Sequence, residues 1–283
     1  MSDLPNLPPL NISSLLHQYG LRPSKGLGQN FLVDEAALRQ VVGVAAVTPE
    51  DVVLEIGPGL GSLTRYLAAA ARRVVAVELD RKLITPLKNI LQTYDNVEII
   101  QGDILEVNLA ETITKPDYLV VANIPYYITS ALMQYLLETH QKPARLVLTV
   151  QEEVAQRICA EPGAMSILAL SVQVYGQPFI ASKIPAGAFY PIPNVDSAIL
   201  RVDIYPEPLV PMADLDMFFR VVKAGFSQKR KTLANALSGG MHWTKPVARA
   251  YLETAEIDPQ RRAETLEINE WGRLVNHIQS GDA

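Results

Sequence analysis

The sequence predicts a doubly wound α/β domain followed by a small all-helical one, and two patterns carry that prediction. From about Asp51 to Tyr205, short β-rich apolar runs alternate with helical runs, as in a parallel sheet covered on both faces. Past the prolines of "YPEPLVP" only helical periodicity remains. A chain of 283 residues is long enough for one full core and a smaller second one.

In chain order, "VDEAALRQVVGVAAV" reads as a helix with Asp34 as its N-cap. The alternating region follows: "DVVLEIG", "LTRYLAAAA", "RVVAVEL", "KLITPLKNILQTY", "VEIIQGD", "DYLVVAN", "SALMQYLLETH", "ARLVLTV" and "EEVAQRICA". The strand-like "SAILRVDIYP" arrives without a clear crossover helix, which allows an antiparallel strand. In the last part, "DLDMFFRVVKAGF", "KPVARAYLETA" and "NEWGRLVNHI" each place apolar residues on one helical face. The expected boundaries are 1–204, of which 1–24 is an N-terminal extension, and 205–283.

Apolar residues make up 48% of the chain and charged residues 19%, a globular balance. No apolar run approaches the ~20 residues of a membrane span. The start, "MSDLPNLPPLNISS", lacks the basic and apolar regions of a secretory signal, so a cytoplasmic protein is expected, with its first several residues poorly ordered. Cys159, the single cysteine, reads as a buried helix residue. His17, His140, His242 and His277 show no ligand spacing, and no metal is expected. No heptad or long apolar edge asks for an oligomer, so a monomer is expected.

The chemistry concentrates at strand ends. "VVLEIGPGLGSLT" puts a glycine-rich turn between the first strand of the alternating region and a helix, where open α/β folds bind ligands. Glu78 ends the next strand, 21 positions after Gly57, the separation of a carboxylate that accepts hydrogen bonds from a ribose. Pro58 lacks an N–H and position 62 is Ser62, so the turn suits S-adenosylmethionine better than the pyrophosphate of a dinucleotide. Asp103, in "IIQGDIL", is placed either to accept from an adenine amino group or to cap a helix.

The fourth strand releases "NIPYY". An exocyclic adenine amine is a weak nucleophile because its lone pair is delocalised into the ring. A site that methylates it needs acceptors for its N–H groups and a flat face for the base. Asn123 offers a side-chain carbonyl, Ile124 and Pro125 offer backbone carbonyls, and Tyr126 offers the face. No tuned general base is needed, because the methylated nitrogen can lose its proton to water.

The residues from Glu55 to Gly61, Glu78, Gly102-Asp103 and "NIPY" resemble the motifs of Rossmann-like S-adenosylmethionine methyltransferases acting on adenine N6. "KGLGQNFLVD", "QEEVAQRI", "FYPIPNVDSAILRV" and "FSQKRKTLANAL" are similar, in order, to the bacterial ribosomal RNA adenine dimethyltransferases over nearly the whole chain. The resemblance implies cofactor contacts from Asn30, Leu32, Gly57, Glu78, Asp103 and Asn123, and a target adenine sandwiched between Tyr126 and Phe189. It implies two methyl transfers to each of two adjacent adenines near the 3′ end of 16S rRNA in the immature small ribosomal subunit. Residues 1–204 would then be the catalytic domain and 205–283 the RNA-recognition domain. Two positions depart from the family's pattern: Ile124 stands where Leu is frequent, and Met165-Ser166 where a Tyr-Gly pair is frequent.

Net charge is −5, which argues against a nucleic-acid partner. Locally, Arg220, Lys223, Lys229, Arg230 and Lys231 lie in an acid-free run that could contact phosphates, with Arg22 and Lys25 adding to it; the alternative is a solvated helix face. Asn30 reads equally as a turn residue, Phe189 as plain core, and Phe31 as a packing residue. The competing functions are the large-subunit relative that confers macrolide resistance, a ribosome-assembly factor with secondary methylation, and a nicotinamide dehydrogenase. The last lacks a visible hydride-transfer acid or base.

Overall fold

The computed structural model describes residues 4–113, 115–139 and 141–281. In chain order the elements are α1 (Ile12–Gln18), β1 (Phe31–Leu32), α2 (Glu35–Ala45), β2 (Val52–Ile56), α3 (Ser62–Ala70), β3 (Arg73–Glu78), α4 (Arg81–Leu91), β4 (Val97–Gln101), α5 (Leu109–Thr112), β5 (Leu119–Asn123), α6 (Thr129–Glu138), β6 (Arg145–Gln151) and α7 (Glu152–Ile158). They continue with α8 (Ile167–Gln173), β7 (Gly176–Ile184), β8 (Phe189–Tyr190), β9 (Ser197–Ile204), α9 (Leu215–Gly225), α10 (Leu233–Gly240), α11 (Lys245–Thr254) and α12 (Ile268–Ser280).

Seven strands form one sheet in the order β4-β3-β2-β5-β6-β9-β7. β4, β3, β2, β5 and β6 run parallel, whereas β9 is antiparallel to β6, from Arg145↔Asp203 to Gln151↔Ser197. All of β2 is buried, as a strand covered on both faces requires. The chain winds outward from β2 to β4 and then returns to β5 on the other side of β2. The carboxyl ends of β2 and β5 therefore flank the topological switch point, where such sheets bind ligands. On one face α2 and α3 pack Leu38, Val41, Val42, Leu63 and Leu67 against Val53, Val121 and Val147. Asp34 caps α2 by accepting from the Ala37 N–H at 2.8 Å.

The N-terminal extension is part of the fold. The Arg39 guanidinium donates to the Leu4 and Pro5 carbonyls, and Arg65, 6% exposed, donates to that of Pro8. Ile12 and Leu16 of α1 bury against Phe31, Leu60 and Leu83. The expected loose start is thus corrected for residues 4–10; residues 1–3 lie outside those described.

The chain divides into two units: one runs to Ala155 and takes up Phe179–Ile204, and the other is Gln156–Pro178 with the residues from Tyr205 onward. The sequence-based boundary near 205 therefore omits a segment of the helical unit. Backbone hydrogen bonds explain why. The Gly163 and Met165 N–H groups donate to the Glu264 carbonyl, and those of Tyr205 and Leu209 donate to Tyr175 and Val174. Met165-Ser166 has a plain role, since Met165 is buried and Ser166 caps α8 through the Ala169 N–H. Cys159 lies in the turn after α7 and is partly exposed, not in the helix core; burial pushes its thiol up to about 11.

Candidate active site

A cavity of about 290 Å³ opens at the carboxyl ends of β2, β3, β4 and β5. The glycine-rich turn supplies one wall: Gly57, Gly59 and Gly61 all have positive φ, at 69°, 61° and 83°. At Gly59 a Cβ would come within 2.8 Å of the Phe31 ring, so both conformation and space require glycine there. Glu78 holds this turn. Its Oε2 accepts from the Gly59 N–H at 2.9 Å and its Oε1 from the Asp80 N–H at 2.8 Å. With the Gly59 amide committed and Pro58 lacking an N–H, the turn is a poor pyrophosphate cradle, whereas the Glu78 carboxylate retains lone pairs for ribose hydroxyls. Burial raises the Glu78 pKa above its ordinary value, the two N–H donors oppose the rise, and the Asp80 charge adds to it.

Asp103 lines the cavity after β4, and its Oδ1 accepts from the Leu105 N–H at 3.0 Å. It therefore closes a turn and not a helix, since the next helix, α5, is capped by Asn108, and it also borders the ligand space. Asn30 likewise does two things. Its amide donates to the Gly28 carbonyl at 3.2 Å, making the turn, and its own carbonyl accepts from Asn123 Nδ2 at 2.9 Å. That bond fixes the orientation of the Asn123 amide: with the nitrogen donating to Asn30, Oδ1 remains as the acceptor. Gln29, to which the sequence reading assigned no role, ties the same loop to α4 by donating to Asp80 Oδ2 at 2.9 Å.

Beyond Asn123, Pro125 opens a single 3₁₀ turn, Tyr126–Ile128, and its carbonyl accepts from the Ile128 N–H at 3.2 Å. Pro125, Tyr126 and the exposed Tyr127 all line the cavity. The Tyr126 hydroxyl lies 2.7 Å from Ser197 Oγ, and burial raises its pKa while the Ser197 bond opposes the rise.

Two expected site residues are elsewhere. Leu32 and Phe189 are directly paired between β1 and β8, each 2% exposed, and pack into the core with α2 and α3. Directly opposed residues of an antiparallel pair share a face, and here that face is the core side. Phe31, opposite Tyr190, is the residue of this pair that lines the cavity. Leu32 borders a separate cavity of about 20 Å³, beside Glu55 and Gly57. The sandwich of Tyr126 with Phe189 is thus corrected to a site with Tyr126, Tyr127 and Phe31 as its aromatic lining. The alternation that turns Leu32 inward and Phe31 outward was available in "NFLVD" only once the partner strand was known.

Glu55, 2% exposed, has no hydrogen-bond partner for Oε2. Burial pushes its pKa from 4.5 up to about 8; the neighbouring Thr64 hydroxyl opposes the rise and Glu78 adds to it. A carboxyl with a raised folded-state pKa keeps its proton where the unfolded chain has released it. Its burial therefore costs stability progressively as pH rises from about 4.5 to about 8. Glu55→Gln is expected to raise the melting temperature at pH 8.5 and to change it little at pH 5. An equal shift at both pH values would show that Glu55 is ionised throughout.

Arg220 and Lys223 are exposed on α9, and Lys229, Arg230 and Lys231 are exposed in the turn before α10. Among the described residues no group of three or more His, Cys, Asp or Glu side chains is gathered for a metal; His140 lies outside them. No helix among them is long and apolar enough to cross a membrane.

The family described as ribosomal RNA adenine dimethylase matches residues 21–280. A Dehalococcoides mccartyi protein named ribosomal RNA small subunit methyltransferase A is 45% identical over 261 residues, covering 92% of this chain and 90% of that protein. A protein of the same name from Alkaliphilus metalliredigens is 43% identical over 278 residues, covering 95% and 96%. Among solved structures, the 23S rRNA methyltransferase ErmE superposes with a TM-score of 0.72 at 28% identity, covering 88% of this chain and 100% of that one.

Proposed function

This chain belongs to the ribosomal RNA adenine dimethylase family, and on that premise we propose that it methylates N6 of two adjacent adenosines near the 3′ end of 16S rRNA. The products are N6,N6-dimethyladenosines in the immature small subunit. The chain is an S-adenosylmethionine-dependent ribosomal RNA methyltransferase on a Rossmann-like sheet. S-adenosylmethionine supplies an electrophilic methyl group on a positively charged sulfur.

The observation that carries the reading is the fixed amide of Asn123, whose nitrogen donates to Asn30 at 2.9 Å. Its Oδ1 accepts from the target N6–H, favouring a pyramidal nitrogen whose lone pair is released from the ring, and stabilises the positive charge that develops there. The Tyr126 ring stacks on a base turned out of its helix, worth ~1–3 kcal/mol. Glu78 accepts from ribose hydroxyls and Asp103 from an adenine amine, with Asn30 and Gly57 completing the donor pocket. The proton leaves the methylated nitrogen to water. In this reading the enzyme works in the cytoplasm, as a monomer and without a metal.

Arg220, Lys223, Lys229, Arg230 and Lys231, with Arg22 and Lys25, contact RNA phosphates. Reversing the charges of Lys229, Arg230 and Lys231 is expected to lower the slope of log K against log salt by roughly 2–3, at about 0.7–0.9 per phosphate contact. An unchanged slope would make them a solvated surface.

The test of the function is incubation of the protein with tritiated S-adenosylmethionine and small subunits lacking adenine dimethylation, followed by mass analysis of the nucleosides. Dimethyladenosine in small-subunit RNA is the expected result. Label in large-subunit RNA instead would transfer the reading to the resistance-type relative. Subunit binding without transfer would make the protein an assembly factor.

A further inference from the structure

We propose that Ser197 is a positioning residue for methyl transfer: its buried hydroxyl holds the Tyr126 ring in the orientation that receives the target base. The inference rests on the reading of Tyr126 as the stacking face. Tyr126 sits in a three-residue 3₁₀ turn between β5 and α6. Two hydroxyls from outside the "NIPY" stretch hold it there. Thr129 Oγ1 donates to the Tyr126 carbonyl at 3.0 Å, fixing the main chain, and Ser197 Oγ lies 2.7 Å from the phenol oxygen, fixing the far end of the ring.

Ser197 is a firm anchor. It is the first residue of β9, opposite Gln151 of β6, and is 0% exposed. By strand alternation it shares a sheet face with Ile199, and the register Ile199↔Thr149↔Asn123 puts the Asn123 side chain on that same face. The tether thus runs from the Tyr126 ring to the face on which the acceptor amide stands, and it sets ring and amide in one frame. Because the phenol hydroxyl is occupied by Ser197, its service is geometric, and the site asks for tyrosine where stacking alone would accept phenylalanine. A displacement of the ring by a fraction of an ångström misaligns the amine with the methyl donor, which costs turnover more than binding.

The experiment compares wild type, Ser197→Ala, Tyr126→Phe, the double variant, Ser197→Thr and Tyr126→Ala in steady-state methylation of small subunits lacking dimethylation, with cofactor affinity measured by calorimetry. Ser197→Ala and Tyr126→Phe are each expected to lower kcat roughly tenfold, equivalent to ~1.4 kcal/mol, with KM for S-adenosylmethionine unchanged. The double variant should be no slower than either single one, since both remove the same bond, and Ser197→Thr should recover most of the rate. Tyr126→Phe carries the test if Ser197→Ala fails to fold, because it breaks the bond from the partly exposed end. Full turnover in Tyr126→Phe, or losses that multiply in the double variant, would overturn the tether. If that happens while Tyr126→Ala is inactive, the stacking reading stands and only the tether falls; normal turnover in Tyr126→Ala would remove both.

Discussion

Asn123→Ala is expected to lower kcat by about 10²- to 10³-fold, the scale set by removing one preorganised hydrogen-bonding group from a site of developing charge. Two losses combine in this substitution. The proposed acceptor for the target N6–H disappears, and the Asn30 carbonyl loses the donor it holds at 2.9 Å. The second loss removes one of the bonds that tie down the loop from Ser24 to Asn30, beside the bonds within the loop and that of Gln29 to Asp80. Turnover should therefore fall far more than S-adenosylmethionine affinity, measured by single-turnover methylation beside calorimetry. Equal losses in both would mean that Asn123 serves the donor pocket and not the acceptor amine. Asn123→Asp separates the two parts: it keeps an acceptor toward the amine but sets a carboxylate oxygen against the Asn30 carbonyl. It should also be severely impaired.

Glu78→Ala is expected to weaken S-adenosylmethionine binding by about 1.5–3 kcal/mol, the range for hydrogen bonds to a charged group. The same carboxylate accepts from the Gly59 and Asp80 N–H groups, so its removal also strips the glycine turn of its anchor. A drop in melting temperature should accompany the loss of affinity. Glu78→Gln keeps one acceptor oxygen and should recover part of both. An unaltered dissociation constant for Glu78→Ala would remove the carboxylate from the ribose contact altogether.

Much of this architecture is legible in the sequence because a parallel sheet leaves a strong local trace. "VVLEI", "VVAVE" and "LVVAN" are near-continuously apolar because they are covered on both faces, and Gly57, Gly59 and Gly61 mark a turn that only glycine enters freely. Asp34 was readable for a similar reason, since it caps its own helix, and so was the place of Glu78 at a strand end, whereas its bond to the Gly59 N–H joins it to the turn after another strand. Spacing along one segment also determined the run Asn123-Ile124-Pro125-Tyr126 and its place at the end of a strand. Other features depend on what stands opposite. The two-residue pairing of β1 with β8 buries Leu32 and Phe189 and turns Phe31 toward the cavity, an outcome decided by register and not by either segment's composition. The assignment of 156–178 to the helical unit follows from bonds to Glu264, about a hundred residues away in the chain. The orientation of the Asn123 amide and the tether of Tyr126 to Ser197 join residues 93 and 71 positions apart. Local chemistry thus determined which residues could form a donor pocket and an acceptor site. Only long-range packing decided which way each side chain points, because a hydrogen bond or a shared sheet face is a property of two segments, and neither segment carries it alone.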